Sequence, residues 1–370
     1  MVGNPLNIFN WSLRRSHPVF DVLKDQIQNR ASLEPNWLTE KRLEALSFLS
    51  NQADHLGEFQ ELLEGLAKEE ISAKPQEAPD LAIQSLKGMG IQYEPLDLNM
   101  RSANPKQEFE YKEVLPSSTL WEATATAFWQ TGTLIKIPAK LQMEDPIPLV
   151  FFTTPLPLVH LAYIHVQEGA SLHLVEACSS DRLPNQGFRA PHLIFRLDEG
   201  AKLHLTSYQD WPAGVANFGA RTFILNKDSS LHWTDAHTGQ NHRPSQLRII
   251  ANDEASIHYN VLAFAANQDH LCLTFPEIPG KVQVTQDYRS VTYDQGQVTF
   301  ENKTQATIKT QGWQQYRTND IPDFDQLTSY LKSHDFDQSE IRALLSREHL
   351  EPYLSEIPVE YRVEIMARML

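Results

Sequence analysis

The chain has 370 residues, enough for two or three modest domains and a sizeable buried core. Hydrophobic residues at 41% and charged residues at 21% are those of an ordinary globular protein, which excludes wholesale disorder. Lys+Arg at 32 against Asp+Glu at 47 leaves a net charge of −15, the wrong sign for nucleic acid as main partner. Two cysteines, Cys178 and Cys272, cannot build a disulfide framework or a four-thiolate metal site, and a reducing, cytoplasmic setting is expected. Met1 to Trp11 shows no basic patch followed by an apolar run, so no signal peptide is read there.

Residues Val19 to Ile27 and Leu38 to Leu66 place apolar side chains three and four apart among Glu, Lys and Gln, the periodicity of amphipathic helices. Glu58 to Glu70 reads as a solvated helix face. Ser72 to Asp80, polar with two prolines, reads as a linker or exposed turn. From about Ile135 the character changes to short runs rich in Val, Ile, Leu, Thr, Phe and Tyr, separated by turn residues. Pro146 to Val166 is long and apolar enough for a membrane span, but it carries four prolines and two histidines. Proline in a helix interior costs about 3 kcal/mol, so the segment reads as buried strands broken by turns. After Pro322 helical spacing returns, first in Phe324, Leu327, Tyr330 and Leu331, then in Ile341, Leu344 and Leu345, with Asp337 and Ser339 placed to cap the second helix.

An internal repeat runs through the β region. VQEGASLHL (Val166–Leu174), LDEGAKLHL (Leu197–Leu205), LNKDSSLHW (Leu225–Trp233) and ANDEASIHY (Ala251–Tyr259) each join a turn to an apolar–His–apolar strand. The histidines are His173, His204, His232 and His258, at spacings of 31, 28 and 26 residues. Weaker copies extend the series outward and put Gln142, Gln283 and Lys309 in the His slot. Repeats of this period suggest a solenoid whose coils add strands to continuous parallel sheets. The expected fold is therefore mainly β: a right-handed parallel β-helix flanked by helical segments. Its expected divisions are an N-terminal helical region at 1–109, the β-helix core at 110–320 and a C-terminal helical region at 321–370. Alternation on the strand turns the neighbours of each His inward and the His itself outward.

Function is less marked. Imidazoles about 5 Å apart on adjacent coils invite a metal, but Gln and Lys in the same slot favour a tolerant outer face, and no bound metal is expected. Asp235, His237 and His242 form a polar loop with no standard ligand spacing. Cys178 and Cys272 sit in strand-like runs, where thiols are usually inert. With no phosphate-cradling glycine loop and no Gly-x-Ser-x-Gly elbow, no catalytic residue is assigned and an enzyme acting alone is not expected.

The segment FWQTGTLIKIPAKLQMEDPI (Phe128–Ile147) resembles the SufB/SufD family, the scaffold proteins of SUF-system iron–sulfur cluster assembly. The matching features are the aromatic pair Phe128–Trp129, Gly132, the strand Ile135 to Pro138, and Pro146–Ile147. The Glu-Gly-Ala turns at Glu168 to Ala170 and Glu199 to Ala201, the strand beginning at Phe300, and the spacing of Phe324 to Leu345 are similar to the family's pattern. After Asn319 the chain passes straight to Ile321, without the family's Cys-x-His-Gly segment. No cluster ligand is therefore carried over.

What the resemblance implies is a SufD-like, non-catalytic scaffold. Such a subunit pairs with a SufB-like subunit, or with itself as a homodimer, and docks a SufC-like ATPase through Phe324, Leu327, Tyr330, Leu331, Ile341, Leu344 and Leu345. No cofactor would be bound intrinsically, and an iron–sulfur cluster would be met only through the assembly complex. The alternatives are a metal-binding solenoid using the His ladder and a carbohydrate-active β-solenoid, although the latter would want an acidic cluster in an outer groove.

Overall fold

The computed structural model describes residues 18–57, 59–68, 86–115, 117–150, 158–178, 187–211, 215–239, 246–252, 254–265, 270–274, 282–292, 297–301 and 309–317. In the C-terminal region it describes 329–334, 336, 337, 339–341, 343, 344, 354–357, 359, 362, 363 and 366. The linker read at Ser72 to Asp80 lies outside these residues, as do Phe324, Leu327, Leu345 and His242. The chain divides into two compact units: residues 1–72 with 100–128, and residues 73–99 with 129–370.

The first unit is helical. Its helices are α1 (Pro18–Arg30), α2 (Asn36–Asn51) and α3 (Phe59–Lys68), with a 3₁₀ turn at Ala53–His55 between the last two. In α3, Phe59, Leu62, Leu63 and Leu66 repeat at i, i+3, i+4 and i+7, and all four are buried. After a short helix α4 (Leu96–Arg101), the unit continues through α5 (Pro105–Val114) and α6 (Leu120–Phe128). Asn104 starts α5 in a capping box with Gln107, and Pro105 follows where its missing N–H costs nothing. The helical region thus runs on to Phe128, past the boundary expected at 109/110. Arg42, buried in α2, donates to the last-turn carbonyl of Ala127 (2.9 Å) and pairs with Glu34 (3.0 Å), satisfying an orphan helix end.

The second unit is the solenoid. Strands β2 (Thr131–Ile137), β4 (Leu158–Val166), β6 (Gly187–Leu197), β9 (Ala220–Leu225) and β11 (Gln246–Ala251) pair in parallel in one sheet, where β8 (Val215–Asn217) also pairs with β6. Strands β3 (Ile147–Val150), β5 (Ser171–Cys178), β7 (Lys202–Trp211), β10 (Ser230–Gly239), β12 (Ser256–Ala265), β14 (Gln283–Thr292) and β16 (Lys309–Arg317) form a second parallel sheet. A third, of β13 (His270–Thr274) and β15 (Gln297–Glu301), is also parallel. The chain alternates between sheets, so each strand pairs with its counterpart one coil away, as the repeat implies. Among the described residues, no antiparallel hairpin joins strands between Val166 and Tyr259. β1 (Gln92–Pro95) pairs antiparallel to β2 and covers the first edge, which would otherwise be open to another chain. The apolar stretch 146–166 contains β3 and β4, and no helix among the described residues is long and apolar enough to cross a membrane.

Burial follows the expected parity. Leu172, Leu203, Leu231 and Ile257 stack in register and are buried, as are Leu174, Leu205, Trp233 and Tyr259. The corners between coils turn at Lys140, Gly169, Gly200 and Asp228, all with positive φ (55° to 67°), where glycine is the least strained residue. Gly132 answers a different need: a Cβ there would stand 2.9 Å from the Leu96 Cβ.

Two outer copies are corrected. Gln142 bridges Ser171, and Gln283 pairs with Ser256, so each lies two residues before the His slot. Thr285 takes the slot beside His258, and Lys309 follows it in register as expected.

His160 of β4 is buried with its Nδ1 2.8 Å from Thr131 Oγ1. Burial, helped by the charge of Arg189, pulls its pKa down to about 3. The unfolded chain takes up this proton near pH 6.5 and the folded chain does not, so the stabilisation is present above 6.5 and is lost as pH falls toward 3. From pH 7 to pH 5 this one group should remove about 2 kcal/mol. Urea unfolding at the two pH values checks this. In His160→Gln the loss over the same interval should be smaller by that amount, and an unchanged loss would refute the assignment.

Candidate functional site: a histidine ladder and a buried polar layer

The outer face of the second sheet carries the ladder. His173, His204, His232 and His258 pair directly with one another across β5, β7, β10 and β12. His173 stacks on His204 at 3.9 Å between ring centres with planes 6° apart. The next two steps are tilted, at 4.7 and 4.6 Å. Crowding and partial burial shape the ladder's charge. Burial first, then neighbouring imidazoles, lowers the pKa of His173 and of His258, and takes His204 down to about 4.

The ladder is not bare. A short C-terminal segment, Leu354 to Ile357, lies on it with Leu354 and Ile357 buried. Glu356 Oε2 is 3.1 Å from His232 Nε2 and accepts a hydrogen bond from Thr234 Oγ1, while Thr206 Oγ1 donates to the Glu356 carbonyl at 3.3 Å. Thr206 in turn meets His173 Nε2 at 2.9 Å. Burial acts to raise the Glu356 carboxyl, but hydrogen bonds from His232 and Thr234 prevail and hold it near 2. The Nε2 of His204 is buried and has no hydrogen-bond partner among the described residues.

A second group lies inside the same coils. Following the inward parity of β5, β7 and β10 beyond the apolar positions gives Glu176, Ser207 and Asp235, which face one another in register. Arg221 of β9 reaches Glu176 across the core (2.8 Å) and lies over the Trp233 ring at 5.4 Å. Ser207 and Gln209 donate to Glu176, and Trp233 Nε1 donates to Ser207. Asp235 accepts from Tyr259 OH (3.3 Å) and meets His237 Nε2 at 2.8 Å. Burial opposes the Arg221 charge, but Glu176 and Asp235 outweigh it and raise its pKa. Burial and then Asp235 raise the pKa of Tyr259 and of Tyr288, so both phenols stay protonated. Arg221, Trp233, Asp235, His237 and Tyr259 border a cavity of about 10 Å³, room for one water. Asp235 and His237, read from sequence as part of a polar loop, are thus core residues on β10.

The expected docking residues divide. Tyr330 and Leu344 are exposed, at 59% and 43%, Leu331 is half-buried, and Ile341 is fully buried. Asp337 accepts from the Ser339 and Glu340 backbone N–H groups, and its own N–H donates to Glu340 Oε2, the reciprocal cap of a helix start. Parity marked the ladder in the sequence. Continued two residues beyond the apolar residue that follows each His, it would also have marked Glu176 and Asp235; nothing in the local sequence marks Glu356.

Residues 157–321 match the family model described as SUF system FeS cluster assembly, SufBD core domain. Over 319 residues the chain is 19% identical to the iron-sulfur cluster assembly protein SufB of Bacillus subtilis, a match covering 76% of this chain and 69% of that protein. Iron-sulfur cluster assembly SufBD family proteins of Staphylococcus aureus and Staphylococcus haemolyticus are 20% identical over 159 residues, 42% of this chain and 34% of theirs. The chain therefore spans about a third of the staphylococcal relatives it matches.

Proposed function

We propose, from the match of residues 157–321 to the SufBD core family model, that the chain is a SufD-like scaffold subunit of SUF iron–sulfur cluster assembly. It pairs with a SufB-like subunit, holds a SufC-like ATPase through its C-terminal helices, and does no chemistry of its own. The observation that carries this reading is the family match falling on the parallel coils themselves, from β4 to β16. Two features agree with it. The chain has only Cys178 and Cys272 as thiols, too few for the four thiolates that usually hold a cluster. Tyr330 and Leu344 present large apolar groups to solvent on neighbouring helical segments, and helix-borne apolar anchors are a common recognition mode.

Co-expression with the SufB-like and SufC-like proteins of the same source tests this. The intact chain should co-purify with both. The double variant Tyr330→Asp with Leu344→Asp should keep the SufB-like partner and lose the ATPase by at least tenfold, the loss expected for two anchors worth about 1–4 kcal/mol each. Capture of neither partner by the intact chain removes the assembly role. Undiminished ATPase capture by the double variant removes the docking site.

A further inference from the structure

Two remote parts of the chain converge at the middle of the ladder. His204 and His232 come from adjacent coils, and Glu356 is delivered by the C-terminal segment 124 residues beyond His232. One ligand-capable atom from each lies within 4.8 Å of the other two. We propose that His204, His232 and Glu356 form a binding site for a divalent transition-metal ion of the Zn²⁺ class, which clamps the Leu354–Ile357 segment to the solenoid.

Three features support the assignment. The donor set of two imidazoles and one carboxylate suits a borderline ion such as Zn²⁺, and does not suit Ca²⁺ or Mg²⁺, which take oxygen ligands. Bond lengths of about 2.0–2.1 Å place ligand atoms roughly 3.3 Å apart in a tetrahedral site. The His232–Glu356 pair already stands at 3.1 Å, so the site closes once His204 Nε2, within 4.8 Å of both, approaches that pair. His204 Nε2, the third donor, is buried and accepts no hydrogen bond from the described residues. The ion would take the place of the contact between His232 Nε2 and Glu356 Oε2. Around the site, Thr234 Oγ1 orients the carboxylate and stacking on His173 fixes the plane of His204, the supporting contacts that ligands require. The fourth position stays open to water. The expectation of a metal-free ladder, drawn from four histidines and their Gln and Lys counterparts, lacked the carboxylate that completes the set.

The test uses the full chain, stripped with a chelator and titrated with Zn²⁺ against a chromophoric competitor, and with Co²⁺ followed by its visible d–d absorption. One equivalent should bind, with the intense bands of four-coordinate Co²⁺. His204→Gln, which sacrifices no hydrogen bond with the described residues, and Glu356→Gln should each weaken Zn²⁺ binding at least tenfold, whereas His55→Gln, on an exposed turn of the helical unit, should not. Zn²⁺ should also raise the melting temperature of the parent and not of either ligand variant, since only a ligand of the folded state stabilises it. Absence of stoichiometric binding in the parent overturns the proposal, and so does binding unchanged in either ligand variant.

Discussion

Leu203→Asp should abolish cooperative folding at ambient temperature, whereas Lys202→Asp one residue earlier should melt within about 0.5 kcal/mol of the parent. Leu203 is 1% exposed and stacks in register between Leu172 and Leu231. Removing a buried leucine side chain costs about 2–5 kcal/mol, and burying an unpartnered carboxyl adds several more. That sum rivals the whole stability of a typical domain, about 5–15 kcal/mol. A solenoid magnifies the damage, since each coil is held by its neighbours and a broken middle coil uncovers both. Lys202 is exposed on the opposite side of the same strand. Leu203→Met, which conserves volume, should cost less than about 1.5 kcal/mol. Circular dichroism with urea unfolding separates the three variants, and parent-like behaviour of Leu203→Asp would reverse the inside/outside assignment of the second sheet.

That assignment was readable because a strand's period is two and a solenoid repeats it coil after coil. The same property explains why the misplaced copies did little harm. Gln142 and Gln283 were each two residues out of register, and a slip by an even number leaves every side chain on its proper face. Spacing alone could not find the slip, because coil length varies in the corners while pairing is set by backbone hydrogen bonds between strands. The expected start of the β-helix at 110 failed for another reason: helices α5 and α6 still belong to the helical unit, and α6 (LWEATATAF) is buried almost all round. A helix without a polar face gives no amphipathic signal. Glu356 was the hardest residue to foresee. It is one acid among many in a C-terminal segment, and only the tertiary fold lays that segment on His232 and Thr234.

The polar layer inside the coils gives the other large expected effect. Arg221→Met should destabilise the chain by about 3–5 kcal/mol, the usual cost of removing one partner from a buried ion pair. Glu176 would be left 4% exposed, with hydrogen bonds from Ser207 and Gln209 but without the guanidinium that pairs with it. Asp235, the second carboxylate that holds the Arg221 charge, would lose the same support. The double variant Glu176→Leu with Arg221→Met should recover part of the loss, because apolar groups of similar volume remove the uncompensated buried charge of Glu176. Recovery should be incomplete: Asp235 keeps its negative charge, and the Ser207 and Gln209 donors lose their acceptor, at about 1–3 kcal/mol for each buried group left unsatisfied. A double-mutant cycle by urea unfolding measures the coupling. A value below about 0.5 kcal/mol would mean that Glu176 and Arg221 act independently. A large value would identify the pair as the contact that joins β5 to β9 across the core, a cross-sheet tie among the stacked leucines and aromatics.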